Sequence, residues 1–212
     1  MNCTISSIHY CPVKSVSFQS IDSCEIKKNI GIVGDRIFAF AKDLDINKVK
    51  LFEKSPKERK GKWNKILTLK NSPVLNKYNF LFKDNNLTLT FGDKEILTSD
   101  VNQPSERERL VNKIIELESS LKEPIILMKN IEFPFFDTSV SNKVEFANSV
   151  SLLNMQSIND FQNKIDKEIE IPRFRGNIYV DGIKAWEERN WIGQIIKINN
   201  VSFKVEKNIP RC

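Results

Sequence analysis

The sequence predicts an α+β fold dominated by β structure. The first hundred residues break into short runs of β-branched and aromatic residues separated by turn-forming pairs. A helical period takes over after Pro104, and paired short strands return near the end. With 212 residues, 40% of them hydrophobic, the chain can bury a core in one large or two small domains.

In order, β-type segments are expected over Thr4–His9, Ile21–Ile26, Arg36–Ala41, Ile66–Leu69, Phe80–Phe82, Leu87–Phe91 and Glu95–Thr98. Asp84-Asn85-Asn86 and Gly92-Asp93 supply turns between the last three. Leu110, Ile114, Leu117 and Leu121 then recur at helical spacing, and Pro104 suits the first turn of that helix. A strand is expected at Ile125–Met128, an irregular stretch from Phe133 to Lys143, and a short strand at Ser151–Asn154. Ser157 is expected to cap a helix through Phe161 and Ile165. The closing strands are Asn177–Val180, Gln194–Ile198 and Val201–Val205, the last two joined by an Asn199-Asn200 hairpin.

Lysine and arginine number 33 against 27 acidic residues, a net charge of +6 that favours an anionic partner. The densest basic run, Lys54–Lys62, also holds Glu58, Pro56 and Gly61, and reads as a solvated loop. No aromatic stacking platform accompanies it, so no nucleic-acid partner is expected. The start shows no basic region leading into a long apolar stretch and no later run is long enough to span a bilayer, so a cytoplasmic protein without a membrane span is expected. Cysteines stand at 3, 11, 24 and 212 without a CxxC pair, which argues against a zinc knuckle or a thioredoxin motif.

Each of four islands sets a basic residue at an expected loop or strand end: Pro12-Val13-Lys14-Ser15, Gly34-Asp35-Arg36, Arg173-Phe174-Arg175-Gly176-Asn177 and Pro210-Arg211-Cys212. Singly, each is an ordinary turn or surface pair. Brought together by folding, Lys14, Arg36, Arg175 and Arg211 would grip a phosphate-bearing ligand, with Ser15 or Asn177 orienting its oxygens. His9, Trp186, Trp191 and Asp137 read better as structural than as catalytic residues.

As an ordered set, the islands resemble MOSC proteins. ISSIHYCPVKS followed by GIVGDRIFAFAKD is similar to the family's N-terminal β-barrel region, and FANSVSLLNMQSINDFQNKI to a Phe-Ala-Asp loop, strand and helix. RFRGNIYVDGIKAWEERNWIGQIIKINNVSFKVEKNIPRC resembles the MOSC domain, with its Arg-Phe-Arg-x-Asn, Trp-Glu-Glu and Arg-Cys signatures. The resemblance implies a MOSC-type β-barrel with a β-rich N-terminal region over residues 1–119 and a MOSC domain over 120–212. The family includes molybdenum enzymes related to the mitochondrial amidoxime-reducing component and its bacterial counterparts, which reduce N-hydroxylated compounds.

Carried over, the resemblance implies a molybdenum cofactor (Mo-molybdopterin) bound by Lys14, Ser15, Arg36, Asn148, Arg175, Asn177 and Arg211, with Cys212 as the metal's thiolate ligand and catalytic residue. A soft thiolate suits such a metal, and Arg211 would favour its deprotonation from the ~8.5 of a free thiol. The expected function is an oxidoreductase acting on a small-molecule substrate. Its electrons would come from a separate donor protein of ferredoxin or flavoprotein type. The alternative is a non-catalytic carrier of the cofactor or of a persulfide sulfur.

This sequence departs from the family pattern in two places. Asn148 replaces an acidic residue common in the Phe-Ala-Asp loop, and an amide cannot act as a general acid. The sequence also stops at Cys212 where relatives continue, so a MOSC domain short of its last strands is expected.

Overall fold

Local patterning produces the elements largely where it predicts them. In the computed structural model, which describes residues 3–16, 18–28, 30–121, 124–136 and 149–209, strands β1 (Thr4–Tyr10), β2 (Gln19–Ile21), β3 (Ile26–Lys27), β4 (Gly31–Ile32) and β5 (Phe38–Lys42) come first. Helices α1 (Ile46–Lys54) and α2 (Pro56–Arg59) follow, then strands β6 (Tyr78–Lys83), β7 (Asn86–Phe91) and β8 (Lys94–Asp100). Helix α3 (Pro104–Leu117) and strand β9 (Ile125–Lys129) precede β10 (Leu152–Asn154), α4 (Met155–Ile165), β11 (Ile178–Asp181), β12 (Ile195–Ile198) and β13 (Val201–Lys204).

These elements divide into two compact units that interleave in sequence. One takes the chain up to His9, residues 20–26 and the described residues from Val150 on. Its main sheet has the order β10-β11-β1-β2. Strand β1 runs antiparallel to β11, with Thr4 opposite Asp181 and a bulge between Ile5 and Ser7, while β10 runs parallel to β11. Ile178, Tyr179 and Val180 are buried, as is Ile158 on α4. Strands β12 and β13 pair only with each other among the described residues, around a left-handed Asn199.

The other unit comprises Tyr10–Gln19 and the described residues from Lys27 to Ser149. Strands β5 and β9 pair antiparallel, and β6, β7 and β8 form a meander whose turns hold Asp84, Asn85 and Gly92 at positive φ. Its principal core joins Phe38, Phe40, Phe80, Leu87 and Leu89 to Leu110 and Ile114 of α3 and to Cys11, Val13 and Val16. A second cluster, Ala39, Ala41, Val49, Phe52, Ile66, Met128 and Phe135, packs the opposite face of β5 against α1.

The α+β, predominantly β class holds. Among the described residues no sheet closes into the expected barrel; the strands form five separate sheets of two to four strands. The strand expected over 21–26 is interrupted because Asp22-Ser23-Cys24-Glu25 carries no β structure between β2 and β3. Ile66–Leu69 supplies one bridge, Ala41 to Ile66, before Asn71 folds the chain back by accepting from the Thr68 amide at 2.7 Å. The cap of α4 is Asn154, which accepts from the Gln156 amide at 3.0 Å, and Ser157 lies inside the helix. Helix α1 was not expected; Asp45 caps it by accepting from the amides of Asn47 and Lys48. The basic run expected to be a solvated loop includes α2, whose Arg59 is 1% exposed. Among the described residues no helix is long and apolar enough to cross a membrane.

Candidate functional site

Backbone pairing sets Lys14, Ser15 and Arg36 on adjacent segments of one unit. The Lys14 amide donates to Phe38 O at 2.8 Å, Phe38 returns a bond to Pro12 O at 2.9 Å, and the Arg36 amide donates to Cys11 O at 2.7 Å. The loop after β1 thus lies along the start of β5. It wraps the buried Cys11 thiol, which faces the carbonyls of Val13 at 2.8 Å and Val16 at 3.4 Å. Lys14 is itself buried, so its four-carbon stem packs in the wall of the loop.

Asp35 organises the second segment. One carboxylate oxygen accepts from the Cys11 amide at 2.8 Å, and the other pairs with the Arg36 guanidinium. That guanidinium lies between two aromatic rings, 4.9 Å from the centroid of Phe18 and 4.8 Å from that of Phe136. Asp35 offsets one of the two cations, leaving this cradle with a formal charge of +1 from Lys14, Arg36 and Asp35.

In the other unit, Arg175 ends a 3-10 turn over Ile171–Phe174. Gly176 follows because a side chain has no room: an added Cβ would overlap Leu153 Cδ1 and stand 3.0 Å from Tyr179 Cζ. The Tyr179 hydroxyl accepts from the Gly176 amide at 3.1 Å. Asn177 is 1% exposed, and its amide ties three segments together. Its Oδ1 accepts from Ser151 N at 3.2 Å and Ser151 Oγ at 3.0 Å, while Nδ2 donates to His9 O at 3.1 Å. His9 stacks edge-on against Tyr179, and burial lowers its pKa below the ordinary imidazole value, favouring the neutral ring.

The same unit has a polar hub that motif reading missed. Glu188, in the Trp-Glu-Glu segment, accepts from Ser157 Oγ at 2.8 Å and from Asn154 Nδ2 at 2.9 Å. Its carboxylate therefore meets the N-terminal end of α4, where the helix dipole favours negative charge. Trp186 donates through Nε1 to Asp160 at 2.6 Å, and Arg189 lies 4.3 Å from its ring. Sequence reading offered Ser157 as a cap and Asn154 only as the end of a strand, with nothing to indicate a shared carboxylate partner some thirty residues on.

Nine described residues other than glycine hold positive φ. Five are Asp or Asn, which tolerate that region at turns. The other four are Ser15, Arg36, Arg175 and Trp186, at φ 66°, 55°, 52° and 68°. Three of these four are residues expected to bind the cofactor. Such conformations persist where the surroundings over-determine them, and they concentrate at ligand-holding sites. Asn148, Arg211 and Cys212, as well as Asp137, lie outside the described residues.

The donor set fits an anionic, phosphate-bearing group. Within one unit it comprises the ammonium of Lys14, the hydroxyl of Ser15 and the guanidinium of Arg36; in the other unit Arg175 is by itself a guanidinium suited to such a group. Among the described residues no group of three or more His, Cys, Asp or Glu could hold a metal ion.

A stretch of 100 residues, 47% of the chain, is 29% identical to mitochondrial amidoxime reducing component 2 of Bos taurus. That stretch covers 28% of the bovine protein's length. The family model described as MOSC domain matches residues 138–212, a range that includes Asn148, Arg175, Asn177, Arg211 and Cys212 and excludes Lys14, Ser15 and Arg36. The likeness to the MOSC domain therefore lies in residues 138–212.

Proposed function

We propose that this protein binds Mo-molybdopterin and reduces N-hydroxylated or similar N-oxygenated small molecules, with electrons supplied by a separate ferredoxin- or flavoprotein-type donor. The observation that carries this reading is the coincidence of left-handed backbone at Ser15, Arg36 and Arg175 with the basic islands. The MOSC match and the amidoxime-reducing name of the bovine relative support the same chemistry.

In this reading Cys212 provides a thiolate ligand to the metal, favoured by the neighbouring charge of Arg211. Lys14 and Arg36 hold oxygens of the cofactor by charge-assisted hydrogen bonds, and Ser15 adds a neutral donor. Arg175 faces the phosphate, while Asn177 acts chiefly by fixing the backbone that presents Arg175. Asn148 can hydrogen-bond an oxygen ligand but cannot act as a general acid, so a proton needed there would come from water or another residue. When bound, the cofactor supplies the electron-pair chemistry that removes the substrate's oxygen; the protein contributes orientation and charge balance.

The test is anaerobic turnover. Protein made in a host that synthesises the cofactor is mixed with reduced methyl viologen and benzamidoxime, and benzamidine is measured by chromatography. We expect catalytic conversion. Bound molybdenum without turnover would instead identify a carrier.

A further inference from the structure

We propose that Arg59 is a positioning residue for the Lys14–Arg36 cradle, acting on it through residues 133–136. Its functional consequence rests on the anion-binding role proposed for that cradle, whereas its mechanical part rests on geometry alone.

Arg59 is buried, and its planar fork is occupied by main-chain carbonyls. Nε donates to Phe52 O at 2.6 Å and Nη2 to Glu53 O at 3.4 Å, near the end of α1. Nη1 donates to Phe133 O at 2.7 Å and Pro134 O at 3.2 Å. The guanidinium also lies 4.0 Å from the centroid of the Phe135 ring. One side chain therefore fixes three consecutive residues of a segment that belongs to no helix or strand.

That segment is the wall against which Arg36 rests. The Phe135 amide donates to Arg36 O at 2.7 Å, and the Phe136 ring lies 4.8 Å from the Arg36 guanidinium carbon. Just before it, the Asn130 amide donates to Ile37 O at 2.8 Å, so the segment continues the β5–β9 ladder past Arg36. The left-handed turn at Arg36 is thus held through its own carbonyl and by stacking on its side chain. Burial lowers the Arg59 pKa to about 10, the charge of Glu53 working against that shift, so the side chain is a cation at neutral pH. A merely space-filling residue would need neither the charge nor the fork. Lysine could keep the charge but could not reach carbonyls on both segments in one plane.

The test uses the full chain with Arg59→Met and Arg59→Lys, at a temperature where both remain folded by circular dichroism. Hydrogen exchange is followed at the Phe135 and Arg36 amides, with Leu87 and Leu89 of β7 as controls. We expect both variants to exchange about tenfold faster at Phe135 and Arg36, the factor that accompanies loss of a charge-assisted hydrogen bond, with the controls unchanged. The affinity of each protein for inorganic pyrophosphate is measured by calorimetry under the same conditions, and should fall by a similar factor in both variants. Exchange that rises equally at the controls, or not at all at Arg36, would overturn the proposal and make Arg59 a general core staple. If the wild type fails to bind pyrophosphate while the local exchange pattern appears, the positioning stands and the anion-binding reading of the cradle falls.

Discussion

Replacing Asn177 with alanine removes the side chain that joins β1, the turn before β10 and the start of β11. Three hydrogen bonds to described residues disappear: those from Ser151 N and Ser151 Oγ to Oδ1, and the one from Nδ2 to His9 O. Because the residue is 1% exposed, water cannot readily replace the amide. At about 1 kcal/mol for each lost bond, the loss comes to roughly 3 kcal/mol. For a chain of this size that lowers Tm by on the order of 6–12 °C. Urea denaturation and thermal melting followed by circular dichroism measure it directly. Asn177→Asp keeps the acceptor but sets a carboxylate oxygen against the His9 carbonyl, so at neutral pH it should restore little of the loss. A loss below about 1 kcal/mol for Asn177→Ala would refute the view that this amide knits the unit together.

Gly176→Ala should cost about 1–3 kcal/mol, since the new methyl must displace Leu153 and press on the buried Tyr179 ring; calorimetric melting checks it, and an unchanged Tm would contradict the close approach. Burial and the hydrogen bond to Glu118 push the Tyr78 hydroxyl up to about 12, and a folded-state pKa above the unfolded one contributes stability that is complete below pH 10 and lost as pH rises through about 12. Burial pushes the Glu118 carboxyl up, but hydrogen bonds from Lys77 and Tyr78 outweigh this and hold it below the ordinary 4.5. Its contribution is therefore present above pH 4.5 and lost as pH falls through the depressed value. Denaturant titrations across both limits should show Tyr78→Phe flattening the alkaline limb; an unaltered limb would contradict the pairing.

The fold was most legible where local chemistry acts alone. Pro104 at the start of α3, Leu110 and Ile114 on its buried face, and the turns at Asp84-Asn85 and Gly92 all stand where residue type and spacing put them. Helix α1 was hidden because Val49 and Phe52 are buried while Ile46 and Leu51 are 53% and 46% exposed, which blurs the apolar period. The pairing of Ile5 with Val180 leaves no periodic trace, so the interleaving of the two units could not be read from neighbours along the chain. The basic islands were visible as patterns, but the neutralising role of Asp35 and the inward bonds of Asn177 depend on tertiary contacts. Nothing in the run from Lys54 to Lys62 marks Arg59 among its five cations as the one that is buried.

The most direct test of the central claim is metal and pterin analysis of the protein purified from a host that makes the molybdenum cofactor, alongside a Cys212→Ser variant. Near-stoichiometric molybdenum and pterin in the wild type, with molybdenum falling in the variant, is the predicted result. Absence of both from a folded wild type, or their full retention in the variant, would contradict the cofactor reading or the ligand role of Cys212, respectively.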